Sequence, residues 1–191
     1  MSTRDTILTA AATVMREQGI LRATTKEIAR EAGYSEALLY KHFADKQELF
    51  MAVLQERVTG LVNPADLVGT GEVRGNLIDI VRGLMEFYRL SFPMSASLFS
   101  DASLLGAWRD GIVEKGGGPR VPLRMLQAYL EAEQQLGRVP AKADVEAIAV
   151  ALCGAAFQQG VFAAFDGQPK VARSRRLATQ LVDAVRLSRR P

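Results

Sequence analysis

Residues 24–46 read TTKEIAREAGYSEALLYKHFADK, and their spacing predicts two short helices, a tight turn and the opening of a third helix. Thr24-Thr25-Lys26-Glu27 has the form of a capping box, in which the Thr24 hydroxyl accepts from the Glu27 amide and the Glu27 carboxylate reaches back to the Thr24 amide. Ile28, Ala29 and Ala32 then form an apolar stripe that ends at Gly33, a residue free to take the positive φ that turns a chain. Ala29 and Gly33 are also small enough for two helices to cross closely. Ser35 is placed to cap a second helix, on which Leu39 and Phe43 fall one turn apart on one face. A capped helix, a glycine turn and a second capped helix make up the helix-turn-helix, whose second helix enters the DNA major groove.

Outward from this motif, the remaining segments also follow helical periods. Residues 3–18 place Ile7, Ala11, Val14 and Met15 on one face and stop at Gly19. Asp45-Lys46-Gln47-Glu48 opens a fourth helix over 45–62, with Phe50, Leu54, Val58 and Leu61 inward and Asn63-Pro64 at its end. Residues 63–71, NPADLVGTG, form a linker. Helices are expected over 72–92 with Pro93 as the break, 94–109, 120–136, 143–165 and 171–188, and Gly116-Gly117-Gly118-Pro119 is a loop. The 143–165 segment is apolar almost all round, which implies burial on several sides. Strand alternation is absent, so the chain is expected to be all-α with about nine helices.

The 191 residues suffice for one large or two small domains, and the 48% hydrophobic, 24% charged composition is that of a globular protein. A single cysteine, Cys153, excludes an internal disulfide and suits a reducing cytosol. The first 19 residues mix Asp5, Glu17 and apolar positions, unlike a secretory signal. Net charge is +3, yet residues 1–60 hold eight Lys/Arg and eight Asp/Glu, so the whole excess lies beyond residue 60. Any DNA binding by the front segment must therefore come from locally placed cations and helix N-termini.

The TTKEIAREAG run, followed by Leu39-Tyr40-Lys41-His42-Phe43 and Asp45-Lys46-Gln47-Glu48-Leu49, resembles the TetR family of bacterial transcriptional regulators. The specific likeness covers about residues 3–62. It implies a three-helix DNA-binding domain at 1–47, with the 45–62 helix linking it to a helical regulatory, ligand-binding and dimerisation domain at 48–191. It also implies a homodimer in which the last two helices of each subunit form a four-helix bundle. A small-molecule effector held in the body would release the dimer from operator DNA. The expected location is cytoplasmic and nucleoid-associated, with no cofactor.

Candidate DNA contacts follow from the motif. Thr25, Lys26 and Ser35 lie at helix starts, where hydroxyls, cations and free amides meet phosphates. Tyr40 and His42 have polar tips near the end of the recognition helix. Glu36, Ala37 and Lys41 are the candidate base readers, through cytosine N4, a thymine methyl and guanine O6/N7 respectively. Ala37 and Leu38 stand where small hydroxylated residues or glycine are common in the family, and Glu36 adds a negative charge beside DNA. The resemblance makes Lys46 a phosphate contact. In the body, Met85, Tyr88, Phe99, Trp108, Met125, Tyr129, Phe157 and Gln158 are candidates for an apolar ligand pocket. Leu152, Ala156, Gly160, Leu177, Leu181 and Val185 are candidates for the dimer interface.

Other function classes find little support. There is one histidine, one cysteine, no paired-carboxylate constellation and no phosphate loop, so neither an enzyme nor a metal site is expected. Gly69-Thr70-Gly71 is followed by a glycine at the wrong spacing for a dinucleotide loop and has no strand before it. The apolar 147–165 run is interrupted by Gln158-Gln159, which favours a buried dimer helix over a membrane span. The alternative reading is a helical ligand-binding protein of the same fold that activates, or that has weakened DNA binding.

Overall fold

The computed structural model describes residues 2–56, 62–100 and 102–185. The helices are α1 (Thr3–Gln18), α2 (Thr25–Glu31), α3 (Glu36–His42), α4 (Lys46–Glu56), α5 (Val73–Ala96), α6 (Ala102–Glu114), α7 (Val121–Gln135), α8 (Val145–Phe165) and α9 (Ser174–Ala184), with 3-10 turns at Pro64–Leu67 and Ser97–Ser100. The protein is all-α, and the described residues contain no strand. Val58 and Leu61 of the fourth helix, and Arg186, Arg189 and Arg190 near the end, lie outside the described residues. The described residues of 1–59 and 90–118 form one compact unit, and those of 60–89 and 119–185 form another.

In the first unit, hydroxyl and carboxylate caps set the helix starts. Ser2 and Asp5 box α1, Thr24 and Glu27 box α2, and Ser35 caps α3. Glu48 completes the start of α4: its amide donates to Asp45 (2.7 Å) and its carboxylate accepts from the Ala44 amide (2.7 Å). Each cap is worth about 1 kcal/mol, enough to fix the ends of helices only two turns long. Ile7, Leu8, Ala11, Met15, Ile28, Leu39, Phe43, Leu49 and Val53 fill the core among them. Arg4 clamps the outside: its guanidinium lies 5.3 Å from the Phe43 ring centroid and donates two 2.6 Å bonds to Glu56.

Pro93 does not break α5, contrary to the sequence expectation. It sits inside the last turn of that helix, and the carbonyl of the next residue, Met94, accepts from the Ile20 amide (2.8 Å). Within an otherwise intact helix a proline removes only one amide donor near the end, and the partner found for Met94 offsets part of that loss. Helix α6 also runs further than expected, to Glu114, with the Phe50 ring edge-on to Trp108 at 5.9 Å.

The core of the second unit joins Leu77, Ile80, Val81, Leu84 and Met85 of α5 to Leu126, Tyr129 and Leu130 of α7, Ala149, Leu152 and Ala156 of α8, and Ala178 and Val182 of α9. Gly160 is an obligatory small residue here. A Cβ at that position would lie 2.6 Å from the Met85 carbonyl oxygen and 2.9 Å from the Arg89 amide nitrogen. Glu133 is the one fully buried charge in this unit among the described residues. Its carboxylate accepts from the Gly69 amide and faces Arg138 Nε, both at 2.9 Å. Arg138 also donates to the Thr70 and Gly71 carbonyls (2.8 Å each), and Asn76 donates to Thr70 and to the Tyr129 hydroxyl. The 67–71 linker is thus held by a polar network centred on the buried Glu133, whose Oε2 has the Arg138 guanidinium as its counter-ion.

Candidate nucleic-acid interface

The turn between α2 and α3 closes with the Gly33 amide on the Arg30 carbonyl (3.1 Å) and the Tyr34 amide on the Ala29 carbonyl (2.9 Å). Gly33 has φ +74, and a Cβ there would meet nothing within 4 Å. Backbone conformation, rather than helix crossing, demands glycine at this position; Ala29, buried at 2% exposure, is the small residue in the packing. The turn also leaves the Tyr34 ring exposed, a polar aromatic that the spacing argument passes over.

Leu39 and Phe43 anchor α3 inward, which turns Ala37, Tyr40 and Lys41 to solvent. Lys26 is exposed, and neither its ammonium nor that of Lys41 has a partner among the described residues. Ser35 Oγ accepts from the Leu38 amide (3.2 Å), so its hydrogen stays available to an outside acceptor. His42 is half-buried, with its ring 6.5 Å from that of Phe43. These groups form a donor-rich face suited to phosphate oxygens and purine acceptors.

Four candidates are engaged within the chain: Thr25, Glu36, Tyr40 and Lys46. Thr25 Oγ1 donates to Glu36 Oε1 (2.5 Å) and lies 3.2 Å from the Tyr40 hydroxyl. With its single hydrogen spent on Glu36, Thr25 takes the phenol as donor, so this link runs Tyr40 to Thr25 to Glu36 and ties the start of α2 to α3. The Glu36 carboxylate is drawn towards α2, which lessens its repulsion of a duplex. Lys46 Nζ donates to the Leu21 carbonyl (3.2 Å). Burial lowers the Lys46 pKa below the usual lysine value, with Glu27 acting in the opposite sense. Reaching a phosphate requires Lys46 to leave that carbonyl.

Residues 7–53 match the family described as bacterial regulatory proteins, tetR family. The TetR-type match is confined to this N-terminal segment. The TetR-type segment is 45% identical over 60 residues to the transcriptional activator FasR of Mycolicibacterium smegmatis, covering 31% of this chain and only 27% of FasR's own length. A longer match, 24% identical over 152 residues, links 69% of the chain to 77% of the transcriptional repressor AcnR of Corynebacterium efficiens. The fold is shared with a TetR-family transcriptional regulator from Rhodococcus sp. at TM-score 0.71, 22% identity and coverage of 97% and 98% of the two chains.

The eight candidate pocket residues are shared between the two units. Met85, Tyr88, Met125, Tyr129, Phe157 and Gln158 belong to the second unit, whereas Phe99 and Trp108 belong to the first. Phe99 is 71% exposed, and Trp108 packs on Phe50. Tyr129 is buried but its hydroxyl is engaged by Asn76. Met85 and Tyr88 pack under α8, with Tyr88 edge-on to Phe157 at 5.2 Å. Surface hollows of about 390 Å³ (beside Arg4, Met51 and Lys115) and about 330 Å³ (beside Ala143, Ile148 and Val185) contain none of the eight. Among the described residues no group of three His, Cys, Asp or Glu is placed to hold a metal. Cys153 is buried, and that burial pushes its thiol up to about 11.

The dimer candidates also separate. Leu152, Ala156 and Gly160 are buried in the chain's own core against α5 and α7, so they are not available to a partner. The uniform apolarity of α8 hid which side faces inward. Its exposed stripe runs instead through Ala147, Val150, Ala151, Gly154, Gln158, Phe162 and Phe165, with Phe165 91% exposed. Leu177, Leu181 and Val185 on α9 are half-buried. By length and composition α8 could cross a membrane, but its other face is core.

Proposed function

We propose that this chain is a ligand-responsive repressor of the TetR type that binds a palindromic operator as a homodimer. The observation that carries the reading is the presentation of α3: two inward anchors, Leu39 and Phe43, hold Ala37, Tyr40 and Lys41 outward beside Lys26 and Ser35. In a dimer, two such helices roughly 34–36 Å apart span successive major grooves. The exposed apolar stripe of α8, with Leu177, Leu181 and Val185 of α9, supplies the surface for pairing. Lys41 and Ala37 read bases. Lys26, Ser35 and His42 position the backbone, joined by Lys46 once it leaves Leu21 and by Thr25 and Tyr40 once their link to Glu36 opens, and Glu36 serves chiefly to hold Thr25. Functionally the chain divides into residues 1–47, which read DNA, and 48–191, which respond.

The effector is small and apolar or amphipathic, and it enters beside Met85, Tyr88 and Phe157, where Tyr88 and Phe157 form an aromatic edge. It acts by favouring a body conformation that misplaces the two recognition helices, and by linkage DNA weakens its binding by the same factor. Activation is the second reading. It is supported by the name of FasR, an activator, whereas the balanced charge of residues 1–60 supports a ligand-binding protein of the same fold with weakened DNA binding. The test is selection from a randomised duplex library by the full chain. A palindrome is expected, and Lys41→Ala should change the preferred bases, whereas Lys26→Ala should weaken all sequences alike and reduce the salt slope by about one unit per subunit. Recovery of no preferred sequence at low salt overturns the reading.

A further inference from the structure

Four of the sixteen Lys/Arg beyond residue 60 lie together in one stretch of the second unit. From Gly167 to Val182 the sequence GQPKVARSRRLATQLV contains no acidic residue, and Lys170, Arg173, Arg175 and Arg176 are all exposed there. None of the four side chains has a hydrogen-bond or ion-pair partner among the described residues. The arginines flank and enter the first turn of α9, where the helix dipole is positive and a cation is disfavoured unless an anion joins it. The backbone beneath them is fixed. Glu86 accepts from the Val171 amide (2.6 Å), Arg89 donates to the Gln168 carbonyl (3.3 Å), and Arg89 is paired with Glu86 at 2.7 Å. Four unpaired cations thus stand on an anchored turn, while the segment that reads DNA carries no net charge.

We propose that Lys170, Arg173, Arg175 and Arg176 form an auxiliary contact of the second unit to the phosphate backbone of duplex DNA. This rests on the proposed DNA-binding function. A polyanion is the partner that fits, because each phosphate pairs with one cation and releases counterions. Duplex DNA is favoured over an anionic membrane. The exposed Phe162 and Phe165 near this turn belong to a stripe that continues up α8 to Ala147, as a subunit interface requires. No large apolar side chain within Lys170–Arg176 itself is exposed to insert among lipids.

Equilibrium binding of the full chain to a mixed-sequence duplex, measured over a range of salt concentrations, tests the contact. Replacing Arg173→Gln, Arg175→Gln and Arg176→Gln together should make the salt dependence shallower by about 0.9 for each phosphate that is no longer neutralised, up to roughly three units per chain. It should leave the base preference unchanged. The triple Lys replacement at the same positions should retain the parental slope. An unchanged slope in a Gln variant with parental helix content overturns the proposal. So does loss of binding to phosphatidylserine vesicles with duplex binding intact, which assigns the cluster to a membrane. If the parent chain binds no duplex at any salt, the function reading itself fails. If the parent binds and Lys41→Ala changes its preference while the Gln variant behaves as the parent, only this inference fails.

Discussion

The helix-turn-helix and the α7–α8 body reach their order by opposite routes. In the first, helices of seven residues are delimited by Thr24, Glu27, Gly33 and Ser35, all within a few positions of what they satisfy. In the second, a 21-residue helix has almost no polar face, and its orientation is decided by distant partners, Met85, Tyr88 and Arg89 against Gly160, while Gly69 and Arg138 close around Glu133 of the neighbouring α7. Short-range hydrogen bonds make the DNA-reading end tolerant of single core changes elsewhere. The body is sensitive to single atoms at its close approaches.

Glu133→Ala puts the greatest strain on that contrast. It leaves Arg138 facing an emptied, buried site and the Gly69 amide without its acceptor, and should cost about 3 kcal/mol in chemical denaturation. A loss under about 1 kcal/mol makes the 67–71 linker independent of the network. Next come two alanines on one helix. Gly160→Ala should destabilise by about 2 kcal/mol, because its Cβ meets backbone atoms of α5. Gly154→Ala, with open space around it, should stabilise by up to about 1 kcal/mol in a chain kept monomeric. Equal effects would mean that α8 does not have the inner face described.

Phe165→Ser sharpens the same distinction from outside. It should leave the melting of a dilute monomer nearly unchanged and weaken self-association by about 2 kcal/mol, read by sedimentation. An unaltered association constant removes α8's outer stripe from the interface.

The smallest effects belong to the local caps. Thr24→Ala should cost about 1 kcal/mol at neutral pH. The Thr24 hydroxyl and amide hold the Glu27 carboxyl below its ordinary range. A lowered folded-state pKa means that the contribution is present above the unfolded value and fades as pH falls through the folded one. The stability difference between the parent and Glu27→Gln should therefore shrink on acidification. A difference that grows towards low pH would contradict the capping box.

The sequence alone determined the all-α class, the caps of α2 and α3, the φ of Gly33 and the outward side of the recognition helix, since each depends on neighbours within four residues. Spacing by itself makes Glu36 a base reader, because its partner Thr25 lies eleven positions away and leaves no local signal. Spacing likewise makes Pro93 a helix break, because only the hydrogen bond from Ile20 to Met94 shows why its helix continues. Tertiary structure decided which face of α8 is core and the burial of Glu133. An all-apolar helix carries no periodic signal of direction, so only the shapes and charges of distant segments select the side that leaves water.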